Sequence, residues 1–174
     1  MNHADHVRLL RNGVSAPGGV WADLGSGSGA FTLALAELLG LGGTIYSVDK
    51  DRAALVDQER VLSRRFPETA VYYLAADFTR PITLPALDGL VMANSLHFQR
   101  DKEGVLKLVK SYLKTGGRLL LVEYNVDSGN LWVPHPLSYA TWQAVARRLG
   151  FAETQLLTTQ PSRFLKEIFS AVSY

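Results

Sequence analysis

The chain has no cysteine. That absence excludes disulfides, thiolate metal ligands and cysteine nucleophiles. It also has no apolar run approaching the roughly 20 residues needed to span a bilayer, and its first residues lack the charged, apolar and small-residue zones of a signal peptide. A cytoplasmic protein with no membrane partner is therefore expected. Charge of one sign is equally scarce: 18 Lys and Arg stand against 16 Asp and Glu, a formal balance of +2 with four His neutral. Binding to a phosphate backbone usually shows as clustered cations, and the pairs Arg64–Arg65 and Arg147–Arg148 instead sit inside helical patterns as solvated faces. Internal repeats, heptads and low-complexity tails are missing as well.

What is present is 174 residues, 47% hydrophobic and 20% charged. That length buries one substantial core and is short for two. The reading is an N-terminal helix and linker over residues 1–16, then one domain over 17–174.

Strand and helix signals alternate along the second segment. Val20–Ala22 is a short apolar run ending at Asp23, and Leu24-Gly25-Ser26-Gly27-Ser28-Gly29 is a turn, because so many glycines propagate neither helix nor strand. Ala30–Leu39 has helical spacing and ends at Gly40. A strand over 44–48 stops at Asp49, and Asp51 caps a helix that Pro67 terminates. The next strand, 71–75, is followed by Asp77. Gly89–Ala93 delivers Asn94 to a strand end, Asp101 caps a helix reaching Leu113, and Gly116–Gly117 turn into the strand 118–122. Successive apolar residues there suit a parallel strand covered on both faces. A long polar loop over 124–136 precedes a helix at 139–149. Strands at 152–158 and 163–171 follow, separated by a turn at Gln160-Pro161-Ser162. The sum is a mostly parallel sheet between helices with a terminal hairpin.

The glycine turn carries most of the functional information. Its glycines let backbone approach a ligand where a Cβ would intrude, and the helix start at Ala30 presents free N–H groups. Gly25, Gly27 and Ala30 also satisfy a dinucleotide fingerprint, so glycine spacing alone does not choose the ligand. Asp23 separates the readings, since a carboxylate there attracts an ammonium and repels a pyrophosphate. Asp49, at the end of the next strand, is placed for ribose hydroxyls. Asp77 is placed for the amino group of a base, with Phe78 beside its ring.

Residues 20–171 resemble the class I S-adenosylmethionine-dependent methyltransferases, the Rossmann-like type. In that family the segment corresponding to Asp23–Gly29 binds the methionine part, the acid at Asp49 the ribose and the acid at Asp77 the adenine. Asp88-Gly89-Leu90-Val91-Met92-Ala93-Asn94-Ser95-Leu96-His97-Phe98 resembles the fourth strand and its loop. Leu113–Leu120 resembles the turn into the fifth, with Thr115 where proline is common. The resemblance implies an α/β three-layer sandwich with a seven-stranded, mostly parallel sheet in the order 3-2-1-4-5-7-6, strand 7 antiparallel. It further implies S-adenosyl-L-methionine as cofactor.

A sulfonium already activates the methyl group, so the protein mainly aligns an acceptor and excludes water. His97 follows the fourth strand and is a candidate base for a hydroxyl acceptor, or a residue that shapes the loop. Asn94 is a second catalytic candidate that can also line the cofactor cleft or cap its turn. Glu123 either orients an acceptor or meets solvent, and Tyr124, Asn125, Trp132, His135 and Tyr139 form a substrate cover or pack back on the domain. Cytosine C5 transfer needs the absent cysteine, and Asn94-Ser95-Leu96-His97 departs from the motif of DNA amino methylation. His3 and His6 lack a carboxylate at metal-site spacing, so no metal is expected. A small-molecule acceptor is the leading expectation, with RNA or protein methylation and cofactor binding without turnover as alternatives. The short chain leaves an open pocket, one completed by residues 1–16 acting as a lid, or one shared in a homodimer.

Overall fold

Glycines with positive φ at Gly18 and Gly19 turn the chain into β1 (Gly19–Leu24), and the computed structural model, which describes residues 1–174, carries six further strands. They are β2 (Gly43–Asp49), β3 (Ala70–Ala75), β4 (Leu87–Ala93), β5 (Leu113–Tyr124), β6 (Thr154–Ser162) and β7 (Lys166–Ser173). One sheet runs β3-β2-β1-β4-β5-β7-β6, parallel except for β7, which is antiparallel to both neighbours. This is the order and strand direction expected.

Alternation within the central strands creates the layers. Leu119 and Leu121 of β5, with Leu90 and Met92 of β4, face α4 (Lys102–Lys110) and α5 (Tyr139–Arg148). Leu120, Val122 and Val91 face the opposite layer of α1 (His3–Arg11), α2 (Ala30–Leu39) and α3 (Arg52–Arg65). Two continuous cores result, one on each face of the sheet. Asp51 and Asp101 cap α3 and α4 as expected, and Ser138 caps α5, each accepting backbone N–H groups of the first turn.

The sequence pattern places a first helix from about Asp5 to Arg11, and the structure starts it two residues earlier. Asn2 and Asp5 exchange side-chain and backbone hydrogen bonds in a capping box, which starts α1 at His3. Val7, Leu9 and Leu10 are buried, and Ser170 Oγ of β7 donates to Leu9 O at 2.5 Å. Residues 3–11 are thus part of the second core, packed on α2.

Two boundaries differ from expectation. The α4 helix ends at Lys110, and Leu113 already pairs with Leu87 in β5, so Gly116 lies inside a register shift of that strand pair, not ahead of it. The final turn falls at residues 163–165, because Pro161 pairs with Glu167 within β6. As the outermost strand, β6 tolerates a residue with no N–H to give, so the proline there resembles a turn signal without being one. No helix is long and apolar enough to cross a membrane.

Candidate active site

In-register pairing of β1 with β2, and of β2 with β3, brings Leu24, Asp49 and Ala75 to one edge of the sheet. There the chain turns through Gly25–Gly29 into α2, and a cavity of about 720 Å3 opens. Gly25, Gly27, Asp49, Asp77, Phe78 and Asn94 line it together. The sequence placed these six at the ends of four strands, and the structure collects them around one space.

The glycine bend is held from below by a buried polar network. Gly25 and Ser26 donate their N–H groups to Val48 O at 2.8 and 3.1 Å, pinning the bend to β2. Gln58 of α3 donates through Nε2 to Gly27 O at 2.5 Å and to Ser26 Oγ at 2.9 Å. Ser47 Oγ lies 2.8 Å from both Ser26 Oγ and Gln58 Oε1. The three alternate glycines are needed for different reasons. A Cβ on Gly25 would strike Ser95 and one on Gly29 would strike Gln58, whereas one on Gly27 would meet no protein atom and would stand in open space.

Asp23 does not line this cavity. It is 1% exposed beneath the bend, where Thr32 Oγ1 donates to its Oδ2 at 2.7 Å. Burial, with help from the Asp49 charge and against the Thr32 hydrogen bond, pushes its carboxyl up to about 7. Asp49 reaches the cavity, its Oδ2 accepting from Gly27 N at 2.7 Å and its Oδ1 from Asp51 N at 2.8 Å. Asp77 is exposed, and the Thr79 N–H and hydroxyl, at 2.9 and 2.7 Å, hold its carboxyl below the usual range.

Asn94 is one of two non-glycine residues with positive φ, at 52°. Its Oδ1 is buried with no hydrogen-bond partner, an arrangement that costs free energy on both counts. The adjacent Ser95 hydroxyl donates to Leu24 O at 2.8 Å and ties β4 to β1.

His97 lies behind the cavity wall, 3% exposed in the single 3-10 turn Leu96–Phe98. Its Nδ1 is 2.8 Å from Oε2 of Glu123, which is 0% exposed, so Glu123 is neither a solvent contact nor a cavity group. Glu123 Oε1 also accepts from the N–H groups of Leu96 and His97, both at 3.1 Å. The long loop joins this knot through His135, whose N–H donates to His97 O at 3.0 Å. Within that loop Val133 and Leu137 are buried, while Trp132 is exposed. Asn125 Oδ1 accepts from Tyr139 N at 2.9 Å, so this pair closes the loop base.

Several residues were not found from sequence. Gln58 occupies the buried stripe Leu55–Gln58–Leu62 of α3, and a polar residue on such a stripe is the signal that would have exposed it. Met1 and His6 of the first segment reach the cavity, His6 tilting against Phe31 at 4.8 Å between ring centroids. His3 does meet a carboxylate, Glu37 Oε2 at 2.7 Å, delivered from α2 and therefore invisible in spacing.

A family model described as a methyltransferase domain matches residues 16–163. No curated protein sequence matches the chain. Among solved structures, YcgJ from Bacillus subtilis is similar with a TM-score of 0.78 at 12% identity, over 98% of each chain. A SAM-dependent methyltransferase from Aquifex aeolicus has a TM-score of 0.74 at 18% identity, over 97% of this chain and 88% of that one. The mitomycin 7-O-methyltransferase MmcR has a TM-score of 0.69 at 15% identity, and this chain spans only 53% of its length. At these identities the likeness is one of fold.

Proposed function

The chain belongs to the methyltransferase-domain family, and from that premise we propose that it binds S-adenosylmethionine in the cavity and transfers the methyl group to a small-molecule acceptor. The observation that carries this reading is an open space at the glycine bend with one buried, unpartnered polar atom in a residue of its wall. Gly27 has no protein neighbour where a side chain would be, and Asn94 Oδ1 is buried without a donor. A nucleoside bearing an amino acid fits both, because the bend admits its backbone-hugging portion and its ammonium supplies the missing donor.

The residues divide accordingly. Gly25, Gly27 and Gly29 shape the bend, and Asp23 beneath it provides charge that the ammonium would stabilise. Asp49 has carboxylate oxygens that exchange their present amide partners for ribose hydroxyls. Asp77 accepts from the adenine amino group, with Phe78 against the ring. When bound, the cofactor supplies a methyl carbon already activated by its sulfonium. The chain's own task is then orientation and exclusion of water. His97 acts by holding the loop after β4, since its ring lies behind the wall and its Nδ1 is engaged by Glu123. Residues 1–16 act as a fixed wall of the pocket, as the buried Leu9 and Leu10 anchor α1.

Small-molecule transfer agrees with a concave, partly apolar cavity. It also agrees with MmcR, a similar fold whose name gives it a small-molecule acceptor. Calorimetry with S-adenosylmethionine, S-adenosylhomocysteine and NAD tests the cofactor. Micromolar binding of the first two, about 8 kcal/mol, is expected. Binding of NAD alone would reject the assignment.

A further inference from the structure

The four histidines differ in what holds their rings. His97 and His3 are engaged by carboxylates, Glu123 Oε2 at 2.8 Å and Glu37 Oε2 at 2.7 Å. His135 stands outside the cavity wall. His6 lines the cavity half-buried, and no protein group hydrogen-bonds to either of its ring nitrogens. The ring is nonetheless held in position. It tilts against Phe31 at 4.8 Å, buried Leu9 and Leu10 anchor its helix, and the His3–Glu37 pair ties α1 to α2. Phe31 belongs to the first turn of α2, so His6 stands over the end of the cavity formed by the glycine bend. Asp77 and Phe78 follow β3, two strands along the sheet.

Resting on the methyltransferase reading, we propose that His6 is the proton acceptor of the transfer step, and that the methyl acceptor is a small molecule attacking through a hydroxyl or an amine N–H, an atom that must shed a proton. The other titratable side chains of the cavity are committed elsewhere. Asp49 accepts the N–H groups of Gly27 and Asp51, and Asp77 accepts two hydrogen bonds from Thr79. Lys50, as an ammonium, has donors and no lone pair to offer. His6 alone presents an uncommitted nitrogen to the space, and a base has to stand within hydrogen-bond reach of the proton it takes. Burial most of all, then the amino terminus, lowers its ring below the ordinary histidine value, with Asp5 opposing and His3 adding to the effect. Near neutral pH the ring is therefore a base with a free lone pair. In the step, a lone pair of the acceptor oxygen or nitrogen forms the bond to the methyl carbon as the carbon–sulfur bond breaks. The sulfonium leaves as a neutral thioether, and the proton shed by the acceptor passes to the free nitrogen of His6 and on to solvent, which the half-buried ring still reaches.

The test uses sinefungin, which carries an amine-bearing carbon where S-adenosylmethionine has its methylsulfonium, beside S-adenosylhomocysteine, which has neither methyl nor amine there. Both keep the amino-acid ammonium, so their affinity ratio cancels its effect on Asp23. An ammonium in the methyl position donates to neutral His6 and repels the imidazolium. The ratio of sinefungin to S-adenosylhomocysteine affinity, measured by calorimetry on the full chain, should therefore rise about tenfold between about pH 5 and pH 8. His6→Gln, whose amide takes up no proton in that range, should flatten the ratio. Histidine NMR titration of the unmodified chain gives the same answer without a variant, the His6 midpoint falling by about one unit in the sinefungin complex relative to the S-adenosylhomocysteine complex. A flat ratio with equal midpoints, while S-adenosylhomocysteine binds, would overturn the role of His6 and leave the cofactor assignment standing. Failure of S-adenosylhomocysteine to bind at all would overturn both.

Discussion

Glu123 and His97 meet at 2.8 Å in a part of the protein that solvent does not reach, one from the end of β5 and the other from the turn after β4. The same carboxylate also takes two backbone N–H groups of that turn. With the carboxylate as acceptor, the proton sits on Nδ1. Removing Glu123 therefore strands three donors at once. Glu123→Ala is expected to cost about 3–5 kcal/mol, and Glu123→Gln, which keeps one carbonyl oxygen, less. Urea unfolding of the two variants checks this, and an alanine variant within about 1 kcal/mol of the parent would show that the knot contributes little.

Asp23 carries a pH dependence of definite sign. Its folded-state carboxyl stands at about 7 against an ordinary 3.8, so the folded chain holds this proton more tightly than the unfolded chain does. The associated stability is complete below the unfolded value and is lost as pH rises from about 4 to about 7. Asp23→Asn should flatten the stability curve across that window. An unchanged curve would mean that Asp23 is not the group responsible.

Cofactor binding should draw on the same proton. An ammonium placed above the bend favours the charged carboxylate, so at pH 6 binding is expected to release protons to solvent. Calorimetric heats for S-adenosylhomocysteine measured in two buffers of different ionisation enthalpy would then differ. In Asp23→Asn the difference should shrink.

Gly27 and Gly29 separate binding from folding. Gly29→Ala places a methyl against Gln58 at a φ of 81° and should destabilise the fold by about 2–4 kcal/mol. Gly27→Ala, at a φ of 52° with no protein neighbour, should fold with a smaller loss of about 1 kcal/mol. Its methyl instead occupies the cavity, and S-adenosylhomocysteine affinity should fall about tenfold or more, a loss near 1.4 kcal/mol. Thermal melts and calorimetry distinguish the two, and the reverse order of effects would contradict the placement of the bend.

Gln58→Leu keeps the volume of the side chain and removes its amide. Gly27 O loses its side-chain donor and Ser26 Oγ keeps only Ser47, and the bend should loosen before the core does. Amide exchange at Ser26 and Gly27 is expected to accelerate by about tenfold, while that of β4 and β5 changes much less. Uniform acceleration across the sheet would assign Gln58 to global stability instead.

The strand ends were readable because period, glycine and aspartate all point the same way there. Asp49, Asp77 and Asn94 each follow an apolar run, and β-order and parallel pairing bring them to one edge. Asp23 was legible as a carboxylate near the bend but not as a buried one, since burial depends on Thr32 and Gln58 arriving from two helices. His97 was ambiguous for the same reason. Its partner lies 26 residues away, and no local pattern shows a fully enclosed Glu123. Pro161 misled because a strand edge and a turn both accept proline, and only the sheet order tells them apart.

The bond between Ser170 and Leu9 has a consequence for biosynthesis. A ribosome delivers α1 well before β7, so the segment bearing Met1 and His6 gains this anchor only after residues 166–173 emerge. During translation the nascent chain can assemble the bend with Asp49 and Asp77 while the side of the cavity bearing Met1 and His6 still lacks that anchor.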